Sequence, residues 1–381
     1  MKRVIHIVDR LDQVNFGIWN AALATTRPLR ERHGLGAEVW YPAATRERED
    51  PDLQGAVPRG LPDTGKATLA ATVEAAALDP DEDVIVSHGC WRYPTRWGYA
   101  LRVRGFAWLA VPHGMLEGWS VQQKRLRKAL YYRIVEKRLL HKAQRLRAVG
   151  RPEWENLRKE FGDKVIWIPN GVPKRSDPQP ERAPGEERIV LFLARLHHKK
   201  GLLPLLEGWR RSAVSADRRF RLVLAGPDDG ELAGVRSFLA EHPMHGSVEL
   251  PGPVYGEEKS RLLERSRFYV LPSHSEGFPT SVLEAMQHGL VPLISDGCNF
   301  PDVFEKNLGL RAEPDPESIR VALDRIGDMD DAEWRRLSRN AAAYIDAHYT
   351  NERLGDDLLC LYRRLLGERK GTSGEGNPAR G

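Results

Sequence analysis

The stretch RFYVLPSHSEGFPTSVLEAMQHGLVPLIS, residues 267–295, carries the pattern that decides the fold. RFYVLPS is a near-continuous apolar run of strand length, and VPLIS is a second. Between them lie a Ser-, Gly- and Pro-containing turn and a helix-like segment, with Pro279 suited to the first helical position and Phe278 near the cap. Strand, helix and strand, with both strands apolar throughout, predict a parallel sheet covered on both faces. Two carboxylates interrupt the unit. Glu276 falls in the loop above the strand end, and Glu284 lies on the second helical turn, roughly 8 Å along at about 1.5 Å per residue.

The same rhythm extends in both directions. Upstream, RVIHIV, AEVWY, DVIVSHG, FAWLAVPHG, RLRAVG and KVIWIPNG read as strands, with helices between them, including 18–33 and 119–142. RIVLFLAR, FRLVLAG and SVELPGPV join RFYVLPS and VPLIS in the second half, with helices starting near Gly201, Glu231, Glu257, Pro279 and Asp315. The rhythm stops at GVPKRSDPQPERAPGEER, where Pro173, Pro178, Pro180 and Pro184 stand among many charges. The reading is therefore two doubly wound α/β domains, residues 1–172 and 188–349, joined by a linker over 173–187. A last helix over 350–368, capped by Thr350, completes the first domain, and 369–381 forms a disordered tail. Ligand is expected at the carboxyl ends of strands and in the cleft between the domains.

Composition bounds the function. A chain of 381 residues with 41% hydrophobic residues and ten Trp supports sizeable cores. No apolar run approaches the roughly 18 residues of a membrane span. The start MKRVIHIVDR reads as a first strand rather than a signal peptide, and the three scattered cysteines, Cys90, Cys298 and Cys360, fit a reducing compartment. These features predict a cytoplasmic protein. The net charge of +5 is unevenly spread: residues 124–151 hold eleven Lys or Arg against the single acid Glu136. Such a patch attracts an anionic membrane, nucleic acid or a phosphorylated substrate, or is a solvated helix face.

Chemistry concentrates at two places in the second half. In LFLARLHHKKGLLPLL a strand ends, and Arg195 and Lys200 stand five positions apart just before Gly201 opens a helix. Two cations beside free N–H groups form an anion site, Arg as a planar fork and Lys as a mobile point charge. At the opening stretch, the N–H groups of Thr280 and Ser281 face a gap that favours an anion, while Glu276 and Glu284 accept hydroxyls on either side of it. A nucleotide-sugar presents groups in that order.

This set resembles the retaining glycosyltransferases of family 4, with the GT-B fold. Glu276 and Glu284 are similar to that family's E-x7-E motif, ARLHHKKG to its R-x4-K diphosphate clamp, and IPNGV to its entry to the linker. PHGMLEGW and CNFPD resemble segments of bacterial members that build lipopolysaccharide and capsule glycans. The resemblance covers the chain to about residue 366 and is most specific in the second half. It implies that Arg195 and Lys200 hold the donor diphosphate, Glu284 the ribose and Glu276 the transferred sugar, with the backbone of Gly277, Phe278, Pro279 and Thr280 nearby. It also matches Gly17 to a glycine loop near the phosphates and His113 to a position facing the reaction centre. Ala194, Phe16, Pro279 and Thr280 depart from the usual residues. His88 is a second candidate near the same edge, His6 reads as core, and Cys298 as a small loop residue.

The implied activity transfers a sugar with retention from a nucleoside-diphosphate donor to a glycan or lipid-linked acceptor in bacterial surface polysaccharide synthesis. No metal cofactor is expected, because Arg195 and Lys200 supply the positive charge, and the DxD-like strings at Asp79, Asp81, Asp83, Asp328 and Asp330 lie away from the clamp. No nucleic-acid partner is expected, and the 124–151 patch is a candidate contact with the inner face of the cell membrane. The alternatives are a nucleotide-sugar epimerase of the same architecture, and a nucleic-acid-binding protein using that patch.

Overall fold

The computed structural model describes residues 1–12, 16–46, 52–116, 130–175, 187–244 and 246–373. It divides into two compact units, one of Met1–Pro173 with Asn351–Gly381 and the other of Lys174–Thr350. Each is built on a parallel sheet.

In the first unit the strands are β1 (Arg3–Ile7), β2 (Gly36–Pro42), β3 (Val57–Leu61), β4 (Asp83–His88), β5 (Ala107–Val111), β6 (Arg145–Ala148) and β7 (Val165–Trp167). They lie in the order β3-β2-β1-β4-β5-β6-β7, every pairing parallel. The chain winds outward from β1 to one edge, then returns to β4 on the other side. That reversal leaves a crevice at the carboxyl ends of β1 and β4. β4 and β5 are buried along their whole length, as strands covered on both faces must be. Packing is close enough that a Cβ added at Gly98, on the helix Tyr93–Val103, would lie 2.3 Å from the indole nitrogen of Trp108.

The second unit repeats the scheme with β8 (Arg188–Leu193), β9 (Phe220–Ala225), β10 (Val248–Gly252), β11 (Ser266–Leu271), β12 (Val291–Ile294) and β13 (Leu310–Arg311). Their order is β10-β9-β8-β11-β12-β13, again parallel, so the reversal falls between β8 and β11.

Several expectations need correction. β3 was not anticipated, because VPRGL carries Pro58 and Gly60 and reads as a turn; such residues are tolerated on the edge strand it forms. The helix expected over 18–33 is two, α1 (Phe16–Leu23) and α2 (Thr26–His33). Pro28 has no N–H to continue a helical ladder and is accepted only in a first turn, so a new helix starts at Thr26. Of the helix expected over 119–142, residues 119–129 lie outside the described residues; beyond them the chain makes a π turn over Tyr132–Glu136 before the helix Lys137–Leu140. The last helix, Asn351–Ser373, runs five residues into the stretch expected to be a tail, and 374–381 lie outside the described residues. It belongs to the first unit, burying Leu354, Leu358, Leu361, Tyr362 and Leu365, and the Gln144 amide donates to the carbonyl of Leu365 at 3.0 Å. Of the linker expected over 173–187, residues 176–186 lie outside the described residues.

Candidate functional site

The expected donor residues gather at the reversal of the second sheet. After β8 the chain passes Arg195, makes a single turn over His198–Lys200, and reaches Gly201 in the left-handed conformation, φ 70°. The His197 ring caps that turn by accepting from the N–H of Lys199 at 3.1 Å. Gly201 is sterically required: a Cβ there would meet the carbonyl oxygen of Pro272 at 2.2 Å. This close approach locks the clamp loop to the loop after β11. The carbonyl of Lys199 accepts from the N–H of His274 at 2.7 Å and from the Ser273 hydroxyl at 3.0 Å.

The consequence is an ion pair that spacing alone does not give. Lys200 Nζ lies 2.5 Å from Glu276 Oε1, both side chains mostly buried at 15% and 13% exposure. The Glu276 backbone is held from the next loop: its N–H donates to the carbonyl of Gly297 at 2.7 Å, and the Asn299 amide donates to its carbonyl at 2.5 Å. CNFPD thus acts as a brace. Asn299 adopts a left-handed φ of 56°, and Asp302 accepts from the hydroxyls of Tyr344 at 2.7 Å and Tyr349 at 2.9 Å. The ring of Phe278 packs on Phe300 and Tyr349, so Phe278 offers the loop its backbone while its ring anchors the turn.

The other two residues are engaged elsewhere. Arg195 Nη1 pairs with Asp229 Oδ2 at 2.5 Å, from the loop after β9, and Glu284 Oε2 pairs with Lys259 Nζ at 2.7 Å, on the helix Gly256–Arg265. Two corrections concern the helix after the turn, Thr280–Gln287. Pro279 is its cap rather than its first residue, and the N–H of Thr280, expected to face the gap, donates to the carbonyl of Phe278 at 3.1 Å. Cys298 behaves as a small loop residue: burial pushes its thiol up to about 12, and the thiol donates to the carbonyl of Leu271 at 3.2 Å.

In the first unit, Gly17 is not in a loop but in the first turn of α1, exposed, with nothing within 4 Å of an added Cβ. His113 sits just past β5 with φ 56°, a conformation that disfavours any residue with a Cβ. The turn is held from behind by Glu153, buried, whose carboxylate accepts the N–H of Gly114 at 2.6 Å and of Val149 at 2.8 Å. His88 Nδ1 lies 3.0 Å from His113 Nε2, and His6 Nδ1 lies 3.0 Å from His88 Nε2. His6, read as core, is buried but linked to His113 through His88. Burial, with the charge of Arg147, lowers His6 and His113 to about 3, and burial pushes His88 well below the usual range.

The basic patch changes character too. Arg147 is buried at 4% exposure, its guanidinium donating to the carbonyls of Ile168 at 2.7 Å and Pro169 at 2.5 Å and to Asn170 at 3.1 Å, so one of the eleven cations props IPNGV rather than facing solvent. Glu136 is fully buried and accepts from the Thr95 hydroxyl at 2.5 Å and the Trp91 N–H at 3.1 Å. Residues 124–129 of the patch lie outside the described residues. Glu153, Arg147, Asp229 and Lys259 were missed by sequence reasoning. Each is an ordinary charged residue with a partner distant in the chain (Glu153 also holds the nearby N–H of Val149), and no local pattern marks it.

Comparison with known proteins bears on the family and the fold. Residues 173–343 match the family described as Glycosyl transferases group 1. The chain is 34% identical over 131 residues to a GDP-mannose:cellobiosyl-diphosphopolyprenol alpha-mannosyltransferase of Xanthomonas campestris, covering 34% of each protein. It is 24% identical over 200 residues to the putative colanic acid biosynthesis glycosyltransferase WcaL of Escherichia coli, covering 50% of this chain and 48% of that one. These matches span about a third to a half of the length of the curated relatives. Among solved structures, Anabaena HepE in complex with UDP and glucose superposes with a TM-score of 0.74 at 13% identity, covering 96% of this chain and 100% of that one. Residues 173–343 thus carry a Glycosyl transferases group 1 domain, and the chain around them has the two-domain fold of its GT-B structural neighbours.

Proposed function

We propose that the protein is a retaining glycosyltransferase that moves a sugar from a nucleoside-diphosphate donor to a glycan or lipid-linked acceptor in bacterial surface polysaccharide synthesis. The observation that carries this reading is the Lys200–Glu276 pair at the sheet reversal. Without ligand, each charge neutralises the other in a half-dry site. An arriving diphosphate competes for the ammonium, and the released carboxylate accepts hydroxyls of the sugar. Arg195 adds a second cation by leaving Asp229. In the transition state the bond from the anomeric carbon to the diphosphate breaks as the acceptor oxygen bonds to the same carbon. The acceptor proton passes to the departing diphosphate oxygen, whose growing charge Lys200 and Arg195 stabilise. These cations do the work of a metal, and transfer proceeds without one; turnover that EDTA abolishes and Mg²⁺ restores would overturn that part.

The names of the relatives support sugar transfer and none supports an epimerase. Glu276→Ala decides the assignment. It should cut turnover while leaving nucleoside diphosphate affinity, read by calorimetry, nearly unchanged, because its partner is the sugar. Loss of nucleoside diphosphate binding in a well-folded variant would refute it. Melting curves with UDP, GDP, ADP and CMP identify the base, since a ligand of the folded state raises the midpoint.

Membrane recruitment has its own support. Among the described residues of the basic segment, Leu130 and Ile134 are 61% and 49% exposed, four residues apart, near exposed Arg133 and Arg138. No helix among the described residues is long and apolar enough to cross a membrane. The arrangement suits a face lying on an anionic surface where the lipid-linked acceptor resides. Flotation with vesicles containing phosphatidylglycerol should show binding that falls with salt and with Leu130→Glu/Ile134→Glu; equal flotation of that variant refutes it.

A further inference from the structure

The reversal of the first sheet is spanned by three imidazoles in series: His6 on β1, His88 on β4 and His113 beyond β5. Successive ring centroids are 5.2 and 5.3 Å apart, and both N···N distances are 3.0 Å. His6 and His88 are 4% and 1% exposed.

A neutral imidazole has one N–H and one lone pair, and each N···N contact needs one of each. Two contacts in series therefore leave only two proton arrangements for three neutral rings. In the first, His6 Nδ1–H donates to His88 Nε2 and His88 Nδ1–H donates to His113 Nε2, which leaves the proton of His113 on its Nδ1. The second reverses both bonds: His113 Nε2–H donates to His88, His88 Nε2–H donates to His6, and His113 Nδ1 is a bare acceptor. Intermediate arrangements break one of the two hydrogen bonds, the His6–His88 bond being buried and the His88–His113 bond part-buried. A cationic ring is disfavoured because His6 and His88 are buried, His113 is half-buried, and Arg147 already carries a charge beside them. The rings thus switch together or not at all.

We propose that His6 and His88 are positioning residues that fix the tautomer of His113, and so decide whether His113 Nδ1 gives or takes a hydrogen bond to a substrate hydroxyl at this sheet edge. The fold supports this by holding His113 at φ 56° with Glu153 bracing the next N–H. The effect on turnover rests on the transferase reading above; the tautomer coupling does not.

The test uses the full chain labelled with ¹⁵N-histidine, with His113 assigned by loss of its signals in His113→Gln. Long-range ¹H–¹⁵N correlation at pH 7 should show His113 neutral and in one tautomer. His6→Leu, whose change lies two rings away, should shift the His113 nitrogens. His6→Asn, whose amide can donate or accept where Nδ1 stood, should return them towards the wild-type values. In parallel, His6→Leu should lower kcat at least about tenfold with nucleoside diphosphate Kd within about twofold, and His6→Asn should recover most of it. If His6→Leu does not fold, His88→Phe cuts the same chain at its centre. A wild-type His113 that is cationic or an even tautomer mixture overturns the proposal, as do nitrogens unmoved in a folded His6→Leu or His88→Phe. A coupled spectrum without sugar transfer from UDP-, GDP-, ADP- or CMP-sugars overturns the transferase reading alone, and transfer with an uncoupled spectrum overturns the relay alone.

Discussion

The two sheet reversals solve opposite electrostatic problems. In the second unit, charge is kept and stored in pairs: Lys200 with Glu276, Arg195 with Asp229, Glu284 with Lys259. In the first, three titratable rings are kept neutral in a chain, with Glu153 and Arg147 buried behind them. Paired charges can be exchanged for those of an anionic ligand at little net desolvation cost, because each was compensated beforehand. Neutral rings cannot attract an anion, but they hold a proton at a defined atom. The same topology therefore supplies one edge suited to binding a diphosphate and another suited to orienting hydroxyls.

The sharpest way to break this contrast is to remove the stored charge. Lys200→Ala should lower kcat by about 10²–10³-fold, as expected for a group aimed at charge that develops in the transition state. Steady-state kinetics read this, and a loss confined to KM would show instead that Lys200 binds ground and transition states equally. Glu284→Ala should weaken nucleoside diphosphate binding by roughly tenfold to a hundredfold, the worth of about 1.5–3 kcal/mol for hydrogen bonds to a charged acceptor. Calorimetry reads it, and unchanged affinity would remove Glu284 from the ribose.

The neutral edge makes a prediction in pH. With folded values of about 3 for His6 and His113 against 6.5 for a free ring, the unfolded chain binds protons that the folded chain refuses. Stability is therefore complete above about pH 6.5 and declines as pH falls towards 3, by up to about 1.4 kcal/mol per pH unit for each ring that titrates independently. Denaturant melts between pH 7 and pH 5 measure the slope, and His6→Asn should flatten it. A slope unaffected by that substitution would assign the acid sensitivity elsewhere. The smallest effect belongs to the exposed pair: Arg195→Ala should change ligand-free stability by less than about 1 kcal/mol, since Arg195 and Asp229 are 51% and 38% exposed. A larger loss would make Arg195 a structural residue.

Much of this was legible in the chain because it is local. Near-continuous apolar runs marked β8, β11 and β12 to within a residue or two, and the spacing of Lys200 and Glu276 pointed to two residues that the sheet reversal brings together. Where local signals compete, reading failed. Pro58 and Gly60 disguised an edge strand, and the helix expected over 18–33 is split ahead of Pro28. The π turn that buries Glu136 has no signature either, and the acid looked like the lone counter-charge of a basic surface.

The amino-acid sequence by itself determined which residues carry charge, which segments are apolar enough to form buried strands, and in what order they follow one another. Apolar periodicity and loop chemistry act over a few residues, so they survive in one dimension. Only the tertiary structure decided which charges are paired and which rings share protons. His6 and His88 are 82 positions apart, His88 and His113 25, and Lys200 and Glu276 76. Parallel pairing around each reversal brings such distant strand ends together. At those short separations, in a site shielded from water, a hydrogen bond or a unit charge fixes the state of its neighbour.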